Sequence, residues 1–483
     1  MPFAIMLLMA AVPLSQLIPL PPEWLAGIPN FKIVREAHST AGFTQVWLPL
    51  SVSPHATWIS LLSLLPLFAI FWSTLHLGNR DRRAISLILL AAGVLSAFLG
   101  LLQLAQGPHS PLRFFAVTNT TEAVGFFANR NHFAALIYCV LLFAFAWTAE
   151  AVSRFQTAPR GNKSAQLSTL VVASFIVLVV LIAAQVMARS RAGLIISMAA
   201  IGAGLLLSLP FRSKRASQLS AARIIGAAAA VALIFLMQFG LFRLFQRFEA
   251  DPLADARIFF ARNTLEAANA FLPFGSGLGS FVRVYGLHEK PHDAMANTYA
   301  NHAHNDILEL FLETGWVGPI VAAIAGFWLS VRIVKTWAWS TSGTALIDTT
   351  LARASGFLII FLILHSWVDY PLRTAAMMAV FAFACGLLVE PFASARESQG
   401  AALTDGSENG PSPIGGYDQL SPESVSLSVP APKWSPEETG AGASAQSHIE
   451  IPTDSVPKAQ RWGQDIKWPE AWQSKSRSPS KPN

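Results

Sequence analysis

The sequence predicts an all-α polytopic membrane protein of about ten to twelve transmembrane helices, with one large outer loop and a polar C-terminal tail. Three observations carry this. Of 483 residues, 53% are hydrophobic and only 13% charged, about half the charged fraction of a soluble domain. The apolar residues fall in runs of about 18–21, long enough to cross the hydrocarbon core as helices. The charges are also sorted: from Glu397 onward there are 7 basic and 11 acidic residues, whereas residues 1–396 hold 27 basic and 17 acidic. Two cysteines exclude a disulfide framework and a thiolate zinc site.

The runs lie near 3–20, 57–77, 84–104, 132–150, 168–188, 192–210, 222–242, 316–336, 352–369 and 374–391. The first has no basic segment ahead of it and no small-residue cleavage site behind it, so it reads as a retained span rather than a signal peptide. Two polar-interrupted stretches, 43–55 and 110–128, are candidates for further spans. Arg80, Arg82 and Arg83 follow the second run, and Arg154, Arg160 and Lys163 the fourth. Arg212, Lys214, Arg215 and Arg223 follow the sixth, while Arg332, Lys335 and Arg353 flank the connection after the eighth. These alternate loops share one side, which the positive-inside rule makes cytoplasmic, together with both termini. Four parts result: N-terminal helices over 1–242, a periplasmic loop over 243–315, C-terminal helices over 316–392 and a tail over 393–483. The tail holds 11 of the 30 prolines and few aliphatics, the composition of a disordered cytoplasmic segment.

Ionisable groups at membrane depth are costly, so each needs a reason. Arg189-Ser190-Arg191-Ala192-Gly193 forms the outer turn between the fifth and sixth runs. Its two arginines read either as an interfacial pair reaching headgroups or as forked donors for a diphosphate. Asn129-Arg130-Asn131 enters the fourth run, where an asparagine either caps the helix or orients a sugar. In the large loop, Asp255-Ala256-Arg257, followed by Arg262, opens an amphipathic helix that runs to about Ala270. The next stretch, Pro273-Phe274-Gly275-Ser276-Gly277-Leu278-Gly279, has no strand before it, so it reads as a turn rather than a nucleotide loop.

The stretch Asn301 to Gly318 is the most informative. His304, Leu308 and Phe311 have i, i+4, i+7 spacing, which puts His304 at the head of an apolar helical stripe, with Asn305, Glu309 and Glu313 on an adjoining face. His302 and His304 are two apart, a poor fit to one helical face for zinc. A neutral imidazole acting as general base fits better. Between the last two runs, Asp369 and Arg373 are placed to pair across an outer turn. A transporter would instead predict mid-span charges and two related halves with broken helices, and neither pattern is present in the sequence.

In this order, these segments resemble the O-antigen ligase and O-antigen polymerase family of bacterial inner membranes. His304-Asn305, a nine-residue gap and Gly315-x-x-Gly318 match its His-Asn…Gly-x-x-Gly signature. Arg189 to Gly193, Asp255-Ala256-Arg257, the Pro273–Gly279 turn, Asn129-x-Asn131 and His365-Ser366-x-x-Asp369-Tyr370-Pro371 are similar to its other elements. The resemblance covers roughly residues 55–392, and the tail is not part of it. It implies a glycosyltransferase-C-like fold with about twelve spans. It also implies transfer of a glycan en bloc from undecaprenyl diphosphate to an acceptor hydroxyl, without nucleotide sugar, cofactor or metal. The expected mechanism is inverting, with the ligase reading ahead of the polymerase. The implied partners are the lipid-linked donor, a lipid or glycan acceptor and membrane lipids, with no nucleic acid. The expected catalytic residues are His304, Arg257 and Arg191. Arg189, Arg262, His302, Asn305, Asn129, Asn131 and Asp369 are expected to bind substrate.

Overall fold

A computed structural model describes residues 2–28, 31–43, 46–158, 165–208, 226, 252–294, 299–338 and 346–389. The run expected near 222–242 (apart from Gly226), Arg160, Lys163, the basic residues 212–223 and the tail lie outside the described residues. The other nine expected runs are helices: α1 (Pro2–Gln16), α4 (Pro54–His76), α5 (Asn79–Gln106), α6 (Arg130–Thr157), α7 (Ala165–Ala188), α8 (Arg191–Ser208), α12 (Val317–Ala338), α13 (Leu346–His365) and α14 (Ala375–Leu387). Two short helices, α2 (Pro22–Leu25) and α3 (Phe31–Thr40), follow α1, and the outer loop folds into α9 (Pro252–Ala270), α10 (Phe281–His288) and α11 (Asp306–Thr314). Among the described residues the sheet content is one two-stranded pair, β1 (Pro19–Leu20) antiparallel to β2 (Leu48–Pro49).

Seven of the helices are long and apolar enough to cross a membrane. α1 and α14, at 15 and 13 residues, are shorter than expected. At 1.5 Å per residue α1 reaches about 22 Å, less than the hydrocarbon thickness. It stops where Gln16 turns into the outer loop: Gln16 Nε2 donates to the Glu313 carbonyl at 2.8 Å, and Gln16 Oε1 accepts from the Leu278 amide at 2.9 Å.

Apart from Pro54 and His55, which open α4, the candidate spans 43–55 and 110–128 are not helical among the described residues. The first contributes β2. The second is an irregular segment whose backbone is satisfied by side chains. Gln103 Nε2 donates to the carbonyls of Leu112 (2.9 Å) and Gly125 (2.8 Å), while Arg113 Nη1 donates to Asn119 O at 2.6 Å.

α6 is the axis of the bundle. It is apolar all round and buried from Asn131 to Ala146, as such a helix must be. The surrounding helices bury one side within the bundle and present Leu65, Val179 or Phe327 outward, which suits lipid. Their ends alternate between two faces. At one, Arg83 pairs with Asp348 (2.6 Å), and Arg82 and Arg332 donate to the carbonyls of Val389 and Leu388, each at 2.7 Å. At the other lies the loop.

There a second core forms. Leu25, Ile28 and Phe31 from the segment after α1 pack with Ala256, Phe260, Phe271, Phe281, Tyr285 and Leu312. The Gly-rich turn closes against the end of α11: Ser276 N donates to Leu312 O and Gly277 N to Glu313 O. A Cβ at Gly275 (φ +82°) would strike the Glu313 carbonyl, and one at Gly315 (φ +58°) the Pro273 carbonyl. The glycines serve close backbone approach and positive φ, as the turn reading expects.

Candidate functional site

The sequence places Asp306, Glu309 and Glu313 on one face of the short helix α11. Asn305 caps that helix, its Oδ1 accepting from the amides of Ile307 and Leu308 at 3.1 and 3.0 Å. The cap sets the helix start at Asp306, so His304 precedes the helix instead of heading its stripe, which corrects the expectation from spacing. His304 has φ +51°, a left-handed conformation that is strained for a residue with a Cβ and recurs at functional sites.

That backbone turn aims the His304 ring at the outer turn after α13. Its Nδ1 lies 3.0 Å from Asp369 Oδ1. Two residues earlier, His302 Nδ1 lies 2.8 Å from Glu309 Oε1. Both imidazoles pack on Tyr370, at centroid distances of 4.9 Å for His304 and 4.2 Å for His302. Phe260 of α9 stacks on His304, nearly parallel, at 5.8 Å. Arg257 lies one helical turn before Phe260, on the same side of α9, and its charge is felt at His365.

Asp369 and Arg373 do not pair, contrary to the sequence expectation. Asp369 is taken by His304, and Arg373 reaches across to α11. Arg373 Nη1 lies 2.9 Å from Glu313 Oε2 and 3.1 Å from Glu309 Oε1, and its Nε lies 3.4 Å from Asp306 Oδ1. Asp306 also accepts from the Ser366 hydroxyl at 2.8 Å. Three acids thus enclose one arginine, and the loop is locked to the last helical turn.

The electrostatics follow from burial against charge. Burial works to raise the Asp369 carboxyl. The His304 hydrogen bond and the charges of His304, His132 and His365 overcome it and hold the group well below the usual carboxylate range. Burial lifts Glu313 to about 7 and Asp306 to about 6, with Arg373 opposing in each case. Burial works to raise Glu309 too, but Arg373 and the His302 hydrogen bond bring it below its ordinary value. Arg373 loses by burial and gains more from Glu309, Glu313 and Asp306, so its guanidinium is held charged.

The remaining expected residues divide. Asn129 caps α6, its Oδ1 accepting from the Asn131 amide at 2.8 Å. Its side chain also hydrogen-bonds Tyr370, which brings it to the histidines. Asn131 is buried in the first turn of α6. Arg189, with φ +49°, and Arg191, the first residue of α8, stand at the α7–α8 turn. The outer segment before α6 joins that turn through Ala123 N to Met187 O, at 3.2 Å, and Arg189 Nη1 donates to Thr121 O at 3.4 Å. Arg262 is held away from the histidines by Asp293, at 2.7 Å. Among the described residues no three His, Cys, Asp or Glu side chains are grouped to hold a metal ion.

The sequence reading named Arg373 and Tyr370 but counted neither among the site residues. The signal for Arg373 was present: acids at 306, 309 and 313 share one face, and a buried acidic face requires a cation.

Residues 176–323 match a family model described as O-antigen ligase. The matched stretch runs from α7 into α12 and contains Arg189, Arg191, Arg257, His302 and His304. No curated protein matches the chain.

Proposed function

We propose that this chain, whose residues 176–323 match the O-antigen ligase model, is a membrane glycosyltransferase that moves a glycan en bloc from undecaprenyl diphosphate to an acceptor hydroxyl. The acceptor is a lipid A-core or similar molecule on the periplasmic face of a bacterial inner membrane. The observation that carries this reading is the His304–Asp369 pair, 3.0 Å apart, at the end of the bundle where the charge of Arg257 acts on His365.

Asp369 accepts from Nδ1–H of His304 and leaves Nε2 as the basic nitrogen. Nε2 takes the acceptor proton as the acceptor oxygen bonds to the anomeric carbon. The bond from that carbon to the diphosphate oxygen breaks, and undecaprenyl diphosphate departs with the electron pair. Attack opposite the leaving group inverts the anomeric configuration. Arg257 and Arg191 meet the negative charge that builds on the diphosphate, with Arg189 supporting them. His302, held by Glu309, and Asn129, held by Tyr370, line the acceptor side. The lipid diphosphate is already an activated leaving group, so the reaction as written uses neither metal nor nucleotide sugar.

A deletion strain, complemented with wild-type protein or with His304→Ala and examined on a polysaccharide gel, tests this. Lipid-linked polymer accumulating beside unmodified acceptor is the result expected of a ligase. Acceptor carrying a single repeat unit identifies a polymerase. Normal polysaccharide in the deletion, or full rescue by His304→Ala, overturns the reading.

A further inference from the structure

Around the His304–Asp369 pair, three buried polar atoms have no hydrogen-bond partner among the described residues: Asp369 Oδ2, His132 Nε2 and His365 Nε2. Native interiors seldom leave such atoms unmatched, so three together call for one explanation. They do lie together. The His132 ring meets Tyr370 edge-on at 4.8 Å, and Tyr370 is the residue after Asp369. The Asp369 amide donates to the His365 carbonyl at 2.9 Å. After His304, the histidines whose charges act on Asp369 are His132 and His365. The three side chains come from separate elements, the first turn of α6, the last turn of α13 and the outer turn that follows it. The transfer chemistry set out above uses neither His132 nor His365.

We propose that His132 and His365 are positioning residues of the transfer site, which hold Asp369 Oδ2 through one buried water shared with their Nε2 atoms. A buried water requires two to four polar partners, and these three atoms supply them. The orientation of His365 is set from behind. Its Nδ1 lies 3.1 Å from the Tyr138 hydroxyl, and a phenol that donates to Nδ1 leaves the ring hydrogen on Nε2, facing the carboxylate. With Oδ1 on His304 and Oδ2 anchored on the far side, the carboxylate is fixed in one rotamer. His304 then keeps its hydrogen on Nδ1 and its lone pair on Nε2. Outer partners of a working imidazole commonly act this way, by fixing its tautomer and ring plane. The inference rests on His304 being the base of the reaction.

The test uses full-length protein labelled with ¹⁵N-histidine in lipid nanodiscs. The His304 signals are identified by their loss in His304→Gln, and the imidazole nitrogen shifts report the tautomer directly. Wild-type protein is expected to show the Nδ1–H form. His132→Phe and His365→Phe are expected to mix in the Nε2–H form, as Asp369→Asn does. Glycan transfer, measured with lipid-linked glycan extracted from the deletion strain, is expected to fall about tenfold or more in both. His132→Gln keeps a side-chain donor and is expected to restore both the tautomer and most of the transfer. An unchanged His304 tautomer in both Phe variants overturns the proposal, whatever happens to transfer. Where either Phe variant does not fold, Tyr138→Phe removes only the hydrogen bond behind His365. It should shift the His304 tautomer the same way, and no shift there overturns the part assigned to His365. Failure of the base assignment reads differently: His304→Gln would retain transfer, while the tautomer data would still report on His132 and His365.

Discussion

At the end of the bundle where α5 begins and α14 finishes, arginines close helix ends. Arg82 and Arg332 donate to the carbonyls of Val389 and Leu388, just past the end of α14, where carbonyls lack an intrahelical partner. Arg83 has a single acid, Asp348. At the opposite end the proportions reverse. Three buried acids, Glu309, Glu313 and Asp369, and the partly buried Asp306 share one arginine and two directly bonded histidines. Charge at the first end satisfies backbone. At the second there are more acids than the packing needs, and two of them hold imidazoles in place. A buried carboxylate that serves only the fold has no need to face a histidine kept in a strained backbone conformation.

Substitutions that separate the two ends sharpen this contrast. The largest loss is expected from His304→Ala and Asp369→Asn, each reducing transfer by about 10²–10⁴-fold without preventing membrane insertion, as scored by polysaccharide gel and membrane fractionation. Arg257→Ala and Arg191→Ala should follow at about 10²–10³-fold, the usual cost of removing a donor to developing charge. Arg262→Ala, whose partner is Asp293, should lose less than about tenfold. A deep loss there would mean that Arg262 leaves Asp293 to bind substrate. For stability, Arg373→Met leaves three acids without their cation and should cost about 3–5 kcal/mol, read as a lowered Tm in detergent. At the other extreme, Arg154→Ala breaks an exposed pair with Glu150 and should cost about 0.3–0.5 kcal/mol.

The acidic cluster also predicts a pH dependence. Glu313 and Asp306 are raised in the folded protein, to about 7 and about 6, so folding binds protons more tightly than the unfolded chain does. Their contribution is complete below the ordinary carboxylate values and is lost as pH rises through 6 to 7. Between pH 5 and pH 8 the wild-type Tm should therefore lose more, or gain less, than the Tm of Glu313→Gln. Asp369 and Glu309 are shifted downward and act only in more acidic solution, outside this window. Equal Tm slopes in wild type and Glu313→Gln would contradict the assignment.

The bundle was legible from the sequence because lipid imposes one rule, length and apolarity, on every crossing helix. The helix around Arg257 and the glycine turn were legible for local reasons, a periodic pattern and residues suited to positive φ. Contacts between distant segments were not. Nothing in the order of residues ties Arg373 to Glu313, or Tyr370 to Asn129. The pairing of Asp369 with Arg373 was the simplest local guess, and it failed because the three acids of α11 compete for the same guanidinium. The short α1 was misjudged because Gln16 ends it by a contact to Glu313, 297 positions away.

That last contact has a consequence for how the protein is made. The end of α1 enters the membrane early but docks on a carbonyl near residue 313, and the lock on α11 comes later still, at Arg373. At a synthesis rate of about 5–20 residues per second, the first helix waits about 15–60 s for its partner. During biogenesis that end of the bundle is therefore completed only when the final pair of helices is inserted. A chain cut short before that pair would hold most of its membrane helices and His304, but neither the Asp369 that His304 faces nor the Arg373 that locks α11.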